Sequence, residues 1–322
     1  MMSPCRVMVT GASGFVGKRL CQALAAGGMQ PTAVVRREVT EPLAGEILLT
    51  DLLDAERVTS AMHGIDCVVH LAGRAHMLND RAEDPLAAFR QANVETTLAV
   101  AAAAMAAGVK RFVFVSSIGV NGSQTAAAAF SEHSTPSPAA DYAVSKLEAE
   151  QALQALLAGS STELVIVRPP LIYDASAPGN FARLLKLVDK GLPLPFAVSS
   201  NRRSMISLNN LISFLMLVIS HDKAAGQLFV IADGASFSTR QIVDLIAQGM
   251  GRKARFFYVP QTAVRLLLSA LGRQGMYVQL YCSLEVNVAR ARELLGWKPV
   301  EDPSSALMAA GREYRLQHTA DA

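Results

Sequence analysis

A run of glycines near the N-terminus constrains this chain more than any other feature of its sequence. Residues 6–10 form a short apolar run, and Gly11, Gly14 and Gly17 follow it at regular spacing before a segment that favours helix. Gly11 allows a tight turn from strand to helix, Gly14 lets backbone N–H groups approach a pyrophosphate, and Gly17 allows close helix–strand packing. Because the strand and helix supply the context that this motif requires, the sequence predicts a dinucleotide-binding unit. An ordinary glycine turn is the alternative.

Short apolar segments alternate with helical segments through the first half of the chain. Strands are predicted at residues 32–35, 46–50, 66–71, 111–115 and 164–168, and helices at 54–62, 89–107 and 142–157, the last with Asp141 as N-cap. This alternation predicts a doubly wound parallel α/β sheet. Beyond it we expect helices at 181–190, 209–220, 239–249 and 289–295 and a strand at 228–232.

The regular alternation fades after residue 170. We therefore expect a Rossmann domain over residues 1–170 and a smaller C-terminal α/β substrate region over 171–322, with the chain crossing back to the sheet near residues 200–235. This region would lie across the carboxyl ends of the strands.

Composition excludes several classes of function. The net charge is only +3 and the basic residues are scattered, so we expect no nucleic-acid partner. The four cysteines are far apart, and His63, His70 and His76 lack metal-ligand spacing, so we expect neither a metal site nor a disulfide framework. His70 is predicted to be a packed, hydrogen-bonded residue. The longest apolar run, residues 211–219, is too short to span a bilayer. We expect no signal peptide, because the N-terminal residues run directly into the first predicted strand. We therefore expect a cytoplasmic protein with no membrane partner.

Two arginines follow the second predicted strand. Where this strand ends, an acidic residue binds the ribose 2′-hydroxyl of NAD, whereas arginine accommodates the 2′-phosphate of NADP. Arg36 and Arg37 occupy that position, which favours NADP over NAD. The alternative is two solvated surface arginines.

Three residues make up a candidate catalytic group: Ser117, Tyr142 and Lys146. Ser117 ends the fifth predicted strand, and Tyr142 and Lys146 share a helix face at i and i+4. A nearby ammonium is expected to lower the pKa of the phenol, so that it can exchange a proton with substrate near neutral pH. Ser117 would hydrogen-bond the same substrate oxygen.

Several motifs together resemble the extended short-chain dehydrogenase/reductase family, in its nucleotide-sugar epimerase, dehydratase and reductase branch. Residues 10–17 match its TGxxGxxG loop, residues 115–122 resemble SSxxVYG, residues 142–146 match YxxSK, and residues 168–173 match RPxxVY. The resemblance implies an NAD(P) cofactor held by Gly11, Ser13, Gly14, Phe15, Val16, Gly17, Arg36, Arg37, Asp51, Leu52, Leu71, Ala72, Gly73, Asn93, Ser116, Tyr142, Lys146 and Pro169. Asn121 replaces the usual tyrosine, and Asp174 the usual glycine, near the sugar.

The resemblance also implies a UDP-sugar substrate, with Arg74, Asn121, Asn180, Arg202 and Arg203 as candidate contacts. Arg203 looks like the family's pyrophosphate clamp, and Arg202 is the alternative by one residue of register. Small residues at Cys282–Ser283 suggest room for an N-acetyl group.

The implied activity is oxidoreduction at C4 of the sugar, by a 4-keto reductase or a 4-epimerase. Dehydration is disfavoured because Ile118–Gly119 stand where dehydratases carry an acidic pair. In many relatives, the helices containing residues 89–107 and Tyr142 form a dimer bundle, so a homodimer is possible. A non-catalytic NADP(H)-binding regulator or assembly factor is the alternative from another functional class.

Overall fold

A seven-stranded parallel sheet organises the computed structural model, which describes residues 4–74 and 84–319. The strands in these residues are β1 (Arg6–Thr10), β2 (Gln30–Val35), β3 (Glu46–Leu49), β4 (Cys67–His70), β5 (Arg111–Val115), β6 (Glu163–Arg168), β7 (Ile172–Tyr173), β8 (Arg203–Ser204), β9 (Ile206–Ser207), β10 (Leu228–Val230) and β11 (Ser236–Phe237). The sheet order is β10-β6-β5-β4-β1-β2-β3, which confirms the predicted doubly wound parallel α/β fold. Its order reverses between β1 and β4, where folds of this type bind ligands.

Helices cover both faces of the sheet and build the C-terminal region. They are α1 (Phe15–Ala26), α2 (Ala55–Ala61), α3 (Pro85–Arg90), α4 (Thr96–Ala106), α5 (Asp141–Leu156), α6 (Asn180–Asp189), α7 (Leu208–Ser220), α8 (Thr239–Gly249), α9 (Gln261–Ala270), α10 (Gln274–Tyr281), α11 (Ala289–Leu295) and α12 (Pro303–Thr319). A π-helical turn, Gln91–Glu95, joins α3 to α4, so the predicted helix 89–107 is continuous but not uniformly α-helical. Within the described ranges, no helix is long and apolar enough to cross a membrane.

Three apolar clusters hold these layers together. One lies between the sheet and helices α1, α7 and α11, and a second lies between the opposite sheet face and helices α2, α4 and α5. The third joins α6, α8 and α12 in the C-terminal region. Strand β10 pairs with β6, so the chain does return to the sheet after residue 200. The domain boundary at residue 170 stays a prediction.

Some local expectations were wrong or incomplete. Ala140, not Asp141, is the N-cap of α5; Asp141 is the first helical residue, where its carboxylate favours the positive end of the helix dipole. Helices α9, α10 and α12 were not predicted. Helix α9 has no buried residue, and α12 begins at a proline. Helix α9 therefore lacks the buried stripe and the side-chain N-cap from which a helix is predicted most easily. Helix α12 carries both signals, since the Asp302 carboxylate accepts from the Ser305 nitrogen and the helix buries an apolar stripe that includes Leu307 and Tyr314.

Candidate active site

The glycine loop forms a tight cradle at the N-terminus of α1. Gly11 has a φ of 69°, and a Cβ atom at this position would lie 2.8 Å from the backbone nitrogen of Ala72. A Cβ on Gly17 would lie 2.3 Å from the carbonyl oxygen of Gly11. Gly14 is the N-cap of α1 and supplies no side-chain cap, and the first turn contains no acidic residue. The free N–H groups and the helix dipole therefore favour an anion such as a pyrophosphate.

The other predicted cofactor residues surround the same crevice. The backbone nitrogens of Leu71 and Ala72 donate hydrogen bonds to Thr10, at the end of β1. The Ser116 hydroxyl, at the end of β5, is buried without a hydrogen-bond partner in the described chain. An orphaned buried hydroxyl and a cradle that a Cβ would fill both fit a bound dinucleotide. The residues present thus match the group that the sequence predicts.

The two arginines that follow β2 are exposed to solvent. Arg36 and Arg37 follow β2 directly and are exposed, with no ion pair to any residue that the structure describes. Asp51 is exposed and accepts a hydrogen bond from the Leu53 backbone, while Leu52 is buried. This arrangement leaves both guanidinium groups available to an anion at the strand end.

Asn93 connects the loop after β4 to helix α5. This buried side chain accepts a hydrogen bond from the Arg74 backbone nitrogen at 2.7 Å and donates to the Arg74 carbonyl and to the Ser145 hydroxyl. A Cβ on Gly73 would lie 2.8 Å from the Asn93 amide oxygen and 3.6 Å from the Lys146 nitrogen. Asn93 therefore links Arg74 and Ser145 through hydrogen bonds. Its predicted contact with the cofactor stays a prediction.

Ser117, Tyr142 and Lys146 lie on facing elements at the carboxyl edge of the sheet. The Ser117 hydroxyl accepts a hydrogen bond from the Gly119 nitrogen at 3.1 Å, which caps a short 3₁₀ turn. The Tyr142 ring packs edge-to-face on Phe89, with ring centroids 6.1 Å apart. The hydroxyls of Ser117 and Tyr142 donate no hydrogen bond within the described residues, so both can donate to a substrate oxygen.

Lys146 is buried and is held against the end of β5. Its ammonium donates to the Val115 carbonyl at 3.0 Å and lies 4.5 Å from the centre of the Phe114 ring. Burial lowers the pKa of Lys146 to about 8, although nearby Glu150 favours the charged form. Glu150 itself forms a buried ion pair with Arg168.

The expectation that Lys146 lowers the pKa of Tyr142 is wrong for this structure. Burial raises the pKa of Tyr142 to about 12, because the tyrosinate would lose its hydration. The Lys146 ammonium is engaged by the Val115 carbonyl. The phenol is therefore protonated at neutral pH.

His70 lies in a buried chain of hydrogen bonds. The Thr97 hydroxyl donates to the Asn93 carbonyl at 2.7 Å, so it accepts from His70 Nε2 at 3.0 Å. Thr10 then donates to Nδ1 at 2.8 Å. With one ring nitrogen accepting and the other donating, the imidazole carries a single proton and is neutral. Burial lowers the pKa of His70 to about 3. The prediction of a packed, hydrogen-bonded histidine is confirmed.

The two candidate clamp arginines differ in their exposure to solvent and in their ion pairing. Arg202 has 62% of its side chain exposed and forms an ion pair with Glu285 at 2.7 Å. Arg203 is partly buried and donates to the Cys282 carbonyl at 3.2 Å, and it has no carboxylate partner in the described chain. Burial lowers the pKa of Arg203 to about 10, so it remains charged at neutral pH. An unpaired, half-buried guanidinium fits a diphosphate better than one already paired.

The structure gives less support to the other predicted substrate contacts. Asn121 is almost fully buried; its amide donates to the Ser131 carbonyl and its oxygen accepts from Arg168. Both of its polar groups are used internally, so the structure does not support a substrate contact. Asn180 begins α6 and donates to Gln279 at 2.6 Å. The Arg74 guanidinium lies 5.6 Å from the Phe89 ring centre, and its predicted contact is untested.

Metal ligands were not expected from the sequence. Within the described residues, no three His, Cys, Asp or Glu side chains form a group that could hold a metal ion. His76, one of the three histidines considered, lies outside these residues.

Comparison with known proteins identifies relatives of the whole chain. Residues 7–232 match the NAD dependent epimerase/dehydratase family. The chain is 36% identical to a UDP-glucose 4-epimerase of Vibrio cholerae over 302 residues, covering 92% of this chain and 91% of that protein.

Two solved structures from Bacillus cereus are similar in fold. A UDP-N-acetylglucosamine 4-epimerase has a TM-score of 0.79 and 18% identity, covering 97% of this chain and 99% of that one. A UDP-glucuronic acid 4-epimerase in complex with NAD has a TM-score of 0.77 and 20% identity, with the same coverage.

Proposed function

The chain belongs to the NAD-dependent epimerase/dehydratase family, and on that premise we propose that it reduces or epimerises C4 of a UDP-N-acetylhexosamine derivative. The family uses NAD(P), and the glycine cradle with the orphaned Ser116 hydroxyl fits that cofactor. Between the two reactions, we favour the 4-keto reductase. Ser117, Tyr142 and Lys146 are assigned to the chemistry, and Arg203 to the substrate diphosphate.

The protonated phenol of Tyr142 supports reduction, because this reaction needs a proton donor beside the C4 oxygen. When bound, the reduced nicotinamide supplies the hydride that adds to the C4 carbonyl carbon. Tyr142 gives its phenolic proton to the developing oxyanion and later regains one from solvent. Ser117 donates a hydrogen bond to the same oxygen and steadies its charge. A phenol with a pKa of about 12 is already in the form that this step needs.

Lys146 holds the backbone of this site in place. Its hydrogen bond to the Val115 carbonyl links the catalytic helix to the end of β5, immediately before Ser116 and Ser117. Arg36 and Arg37 support NADPH as the reductant, since they offer exposed cations where a 2′-phosphate would lie.

The non-catalytic alternative is a regulator that binds NADP(H) without turnover. Such a protein needs the cradle but not the hydroxyl pair, whereas both Ser117 and Tyr142 keep a hydroxyl hydrogen to donate. The enzyme is therefore the better-supported proposal.

The experiment combines cofactor analysis with turnover. Purified protein is denatured, and any released NAD(H) or NADP(H) is quantified. NADPH oxidation is then followed with a UDP-4-keto-N-acetylhexosamine, and interconversion is followed with UDP-N-acetylglucosamine. Stoichiometric NADPH oxidation supports the reductase. Tightly held NAD with interconversion supports the epimerase, and cofactor binding without turnover on either sugar contradicts the enzyme proposal.

A further inference from the structure

Helix α9 and the loop before it expose an unusual number of large apolar side chains. Within α9, Leu266 and Leu267 are 72% and 61% exposed, and none of the helix's own residues is buried. We call this region the α9 surface, defined by Phe257, Tyr258, Leu266, Leu267, Leu271 and Met276, all of which are exposed. Groups of large exposed apolar side chains mark interaction sites in soluble proteins.

The helix presents this apolar face outward in a regular way. Val264 and Leu268, four residues apart, are partly buried and form the inner side. Leu267 and Leu271, also four residues apart, are exposed on another side, with Leu266 beside them. Helix α9 therefore carries more aliphatic residues than its packing against the rest of the protein covers.

The loop before α9 is anchored to the body of the protein. The Leu194 nitrogen donates to the Arg255 carbonyl at 2.9 Å, and the Phe257 nitrogen donates to the Leu194 carbonyl at 3.0 Å. Tyr258, next along the chain, is 66% exposed. These two hydrogen bonds hold the backbone that carries Phe257 and Tyr258 in a fixed position.

The charge of this region has one sign. No Asp or Glu occurs between residues 245 and 284, whereas five basic residues do. Four of them, Lys253, Arg255, Arg265 and Arg273, are exposed and have no acidic partner in the described residues. Only Arg252 is paired, with Asp189. Apolar side chains bordered by unpaired cations are complementary to an anionic lipid surface.

We propose that the α9 surface docks on the face of an anionic lipid bilayer, with Leu266, Leu267 and Leu271 entering the interface and the four cations contacting headgroups. The helix is far too short to span the bilayer, so it would lie on the membrane. This revises the expectation of no membrane partner, which considered only spanning segments.

A second copy of the chain fits this surface less well. A two-fold dimer through α9 would bring the same patch against itself, so unpaired cations would face unpaired cations with no carboxylate between residues 245 and 284 to separate them. An anionic membrane removes that repulsion.

The α9 surface also adjoins the substrate end of the site. Arg265 is close enough to Cys282 to lower the pKa of its thiol, against the larger effect of burial, and Arg203 donates to the Cys282 carbonyl. Docking would therefore bring the substrate end of the crevice near the bilayer. The proposal does not depend on which reaction the protein catalyses.

Vesicle flotation tests the docking. Wild-type protein is mixed with vesicles of phosphatidylglycerol and phosphatidylcholine in equal amounts, and with vesicles of phosphatidylcholine alone. We expect flotation with the anionic vesicles, and a loss of at least about fivefold in the bound fraction at about 0.5 M NaCl, where charges are screened.

Two variants separate the apolar and electrostatic contributions. One carries Leu266→Ser, Leu267→Ser and Leu271→Ser, and the other carries Arg265→Gln and Arg273→Gln; we expect each to lower the vesicle partition coefficient about tenfold or more. The matched control, Lys298→Gln with Val300→Ser, removes an exposed cation and an exposed apolar side chain elsewhere and should float like wild type. Retained cofactor binding and melting temperature show that each variant is folded.

Three results would overturn the proposal. The first is absence of wild-type flotation with anionic vesicles. The second is equal flotation of the α9 variants and the control. The third is a wild-type dimer in sedimentation equilibrium that the leucine variant converts to monomer, which would assign the surface to a second copy instead.

Discussion

At the scale of single residues, the site depends on where protons and charges are held. Tyr142 is protonated because it is buried, His70 is neutral because both ring nitrogens are committed to threonine hydroxyls, and Arg203 stays charged without a carboxylate partner. Each state follows from desolvation and hydrogen bonding, and each has a measurable consequence.

The first consequence concerns the phenol of Tyr142. Tyr142→Phe keeps the ring contact with Phe89 but removes the proton donor, so turnover should fall by at least about a hundredfold, the usual size of a general acid–base contribution. Steady-state kinetics on the substrate identified above measure this change. Cofactor affinity should change little. Tyr314→Phe, on α12, is the matched control, and near-normal turnover of Tyr142→Phe would refute the assignment.

The second consequence concerns stability at acidic pH. The pKa of His70 is about 3 in the folded protein, below its ordinary value of about 6.5. As the pH falls below about 6.5, the unfolded chain takes up a proton that the folded protein does not, so the free energy of unfolding decreases by about 1.4 kcal/mol per pH unit.

Replacing His70 should remove that part of the pH dependence. His70→Gln should flatten the slope of unfolding free energy against pH by about 1.4 kcal/mol per unit between about pH 6 and 4.5. Urea denaturation at several pH values gives the slope. The exposed His63→Gln serves as control, and a wild-type slope in His70→Gln would show that His70 becomes protonated in the folded state.

Local sequence patterns predicted the central sheet and indicated Ser117, Tyr142 and Lys146 as the proposed catalytic group, because both inferences follow from short-range rules. Apolar strand runs, the glycine spacing and the i, i+4 pair are all visible within a few residues. The pKa of Tyr142 was not predictable in this way, since it depends on burial among distant elements. The internal hydrogen bonds of Asn121 were not predictable for the same reason: its partners, Ser131 and Arg168, come from other parts of the chain.

At the scale of elements, strand ends determine what the crevice can bind. Strands β1, β2 and β4 end at neighbouring positions in the sheet, with Thr10 beside His70 and also beside Val34 in register. The residues that follow them therefore meet at one edge. The glycine loop follows β1, and the exposed arginine pair follows β2.

This placement predicts the choice of nicotinamide cofactor. Wild-type protein should bind NADPH more tightly than NADH, because Arg36 or Arg37 can neutralise the 2′-phosphate, whereas Arg36→Asp with Arg37→Asn should reverse the order. Fluorescence titration with both cofactors measures the affinities. Arg312→Asn, an exposed arginine on α12, should leave the preference unchanged. Equal affinities in wild type would mean that the arginine pair is only solvated surface.

At the scale of the whole molecule, the candidate site takes its residues from two regions of the chain. The sheet and its helices carry the glycine cradle and the proposed proton donor, and the C-terminal region carries Arg203. Strand β8, which carries Arg203, pairs with β11 and also contacts Leu284. Three segments distant in sequence thus fix this side chain. The register between Arg202 and Arg203 therefore could not be decided from the sequence, whereas the structure favours Arg203.

The clamp predicts that cofactor and substrate binding can be separated by mutation. A diphosphate must lose water to enter the crevice, so losing a charge-assisted bidentate contact costs on the order of 1.5–3 kcal/mol. Arg203→Ala should therefore weaken UDP binding about ten- to a hundredfold and leave NADPH binding unchanged, since the glycine cradle holds the cofactor independently. Calorimetry with each ligand on the same protein measures both affinities.

Arg202→Ala is the matched control for this prediction. The Arg202 guanidinium is exposed and paired with Glu285, so UDP affinity should stay within about twofold of wild type. A loss of UDP binding in Arg202→Ala but not in Arg203→Ala would move the clamp by one residue. Absence of UDP binding to wild type would contradict the nucleotide-sugar proposal itself, even if NADPH still bound.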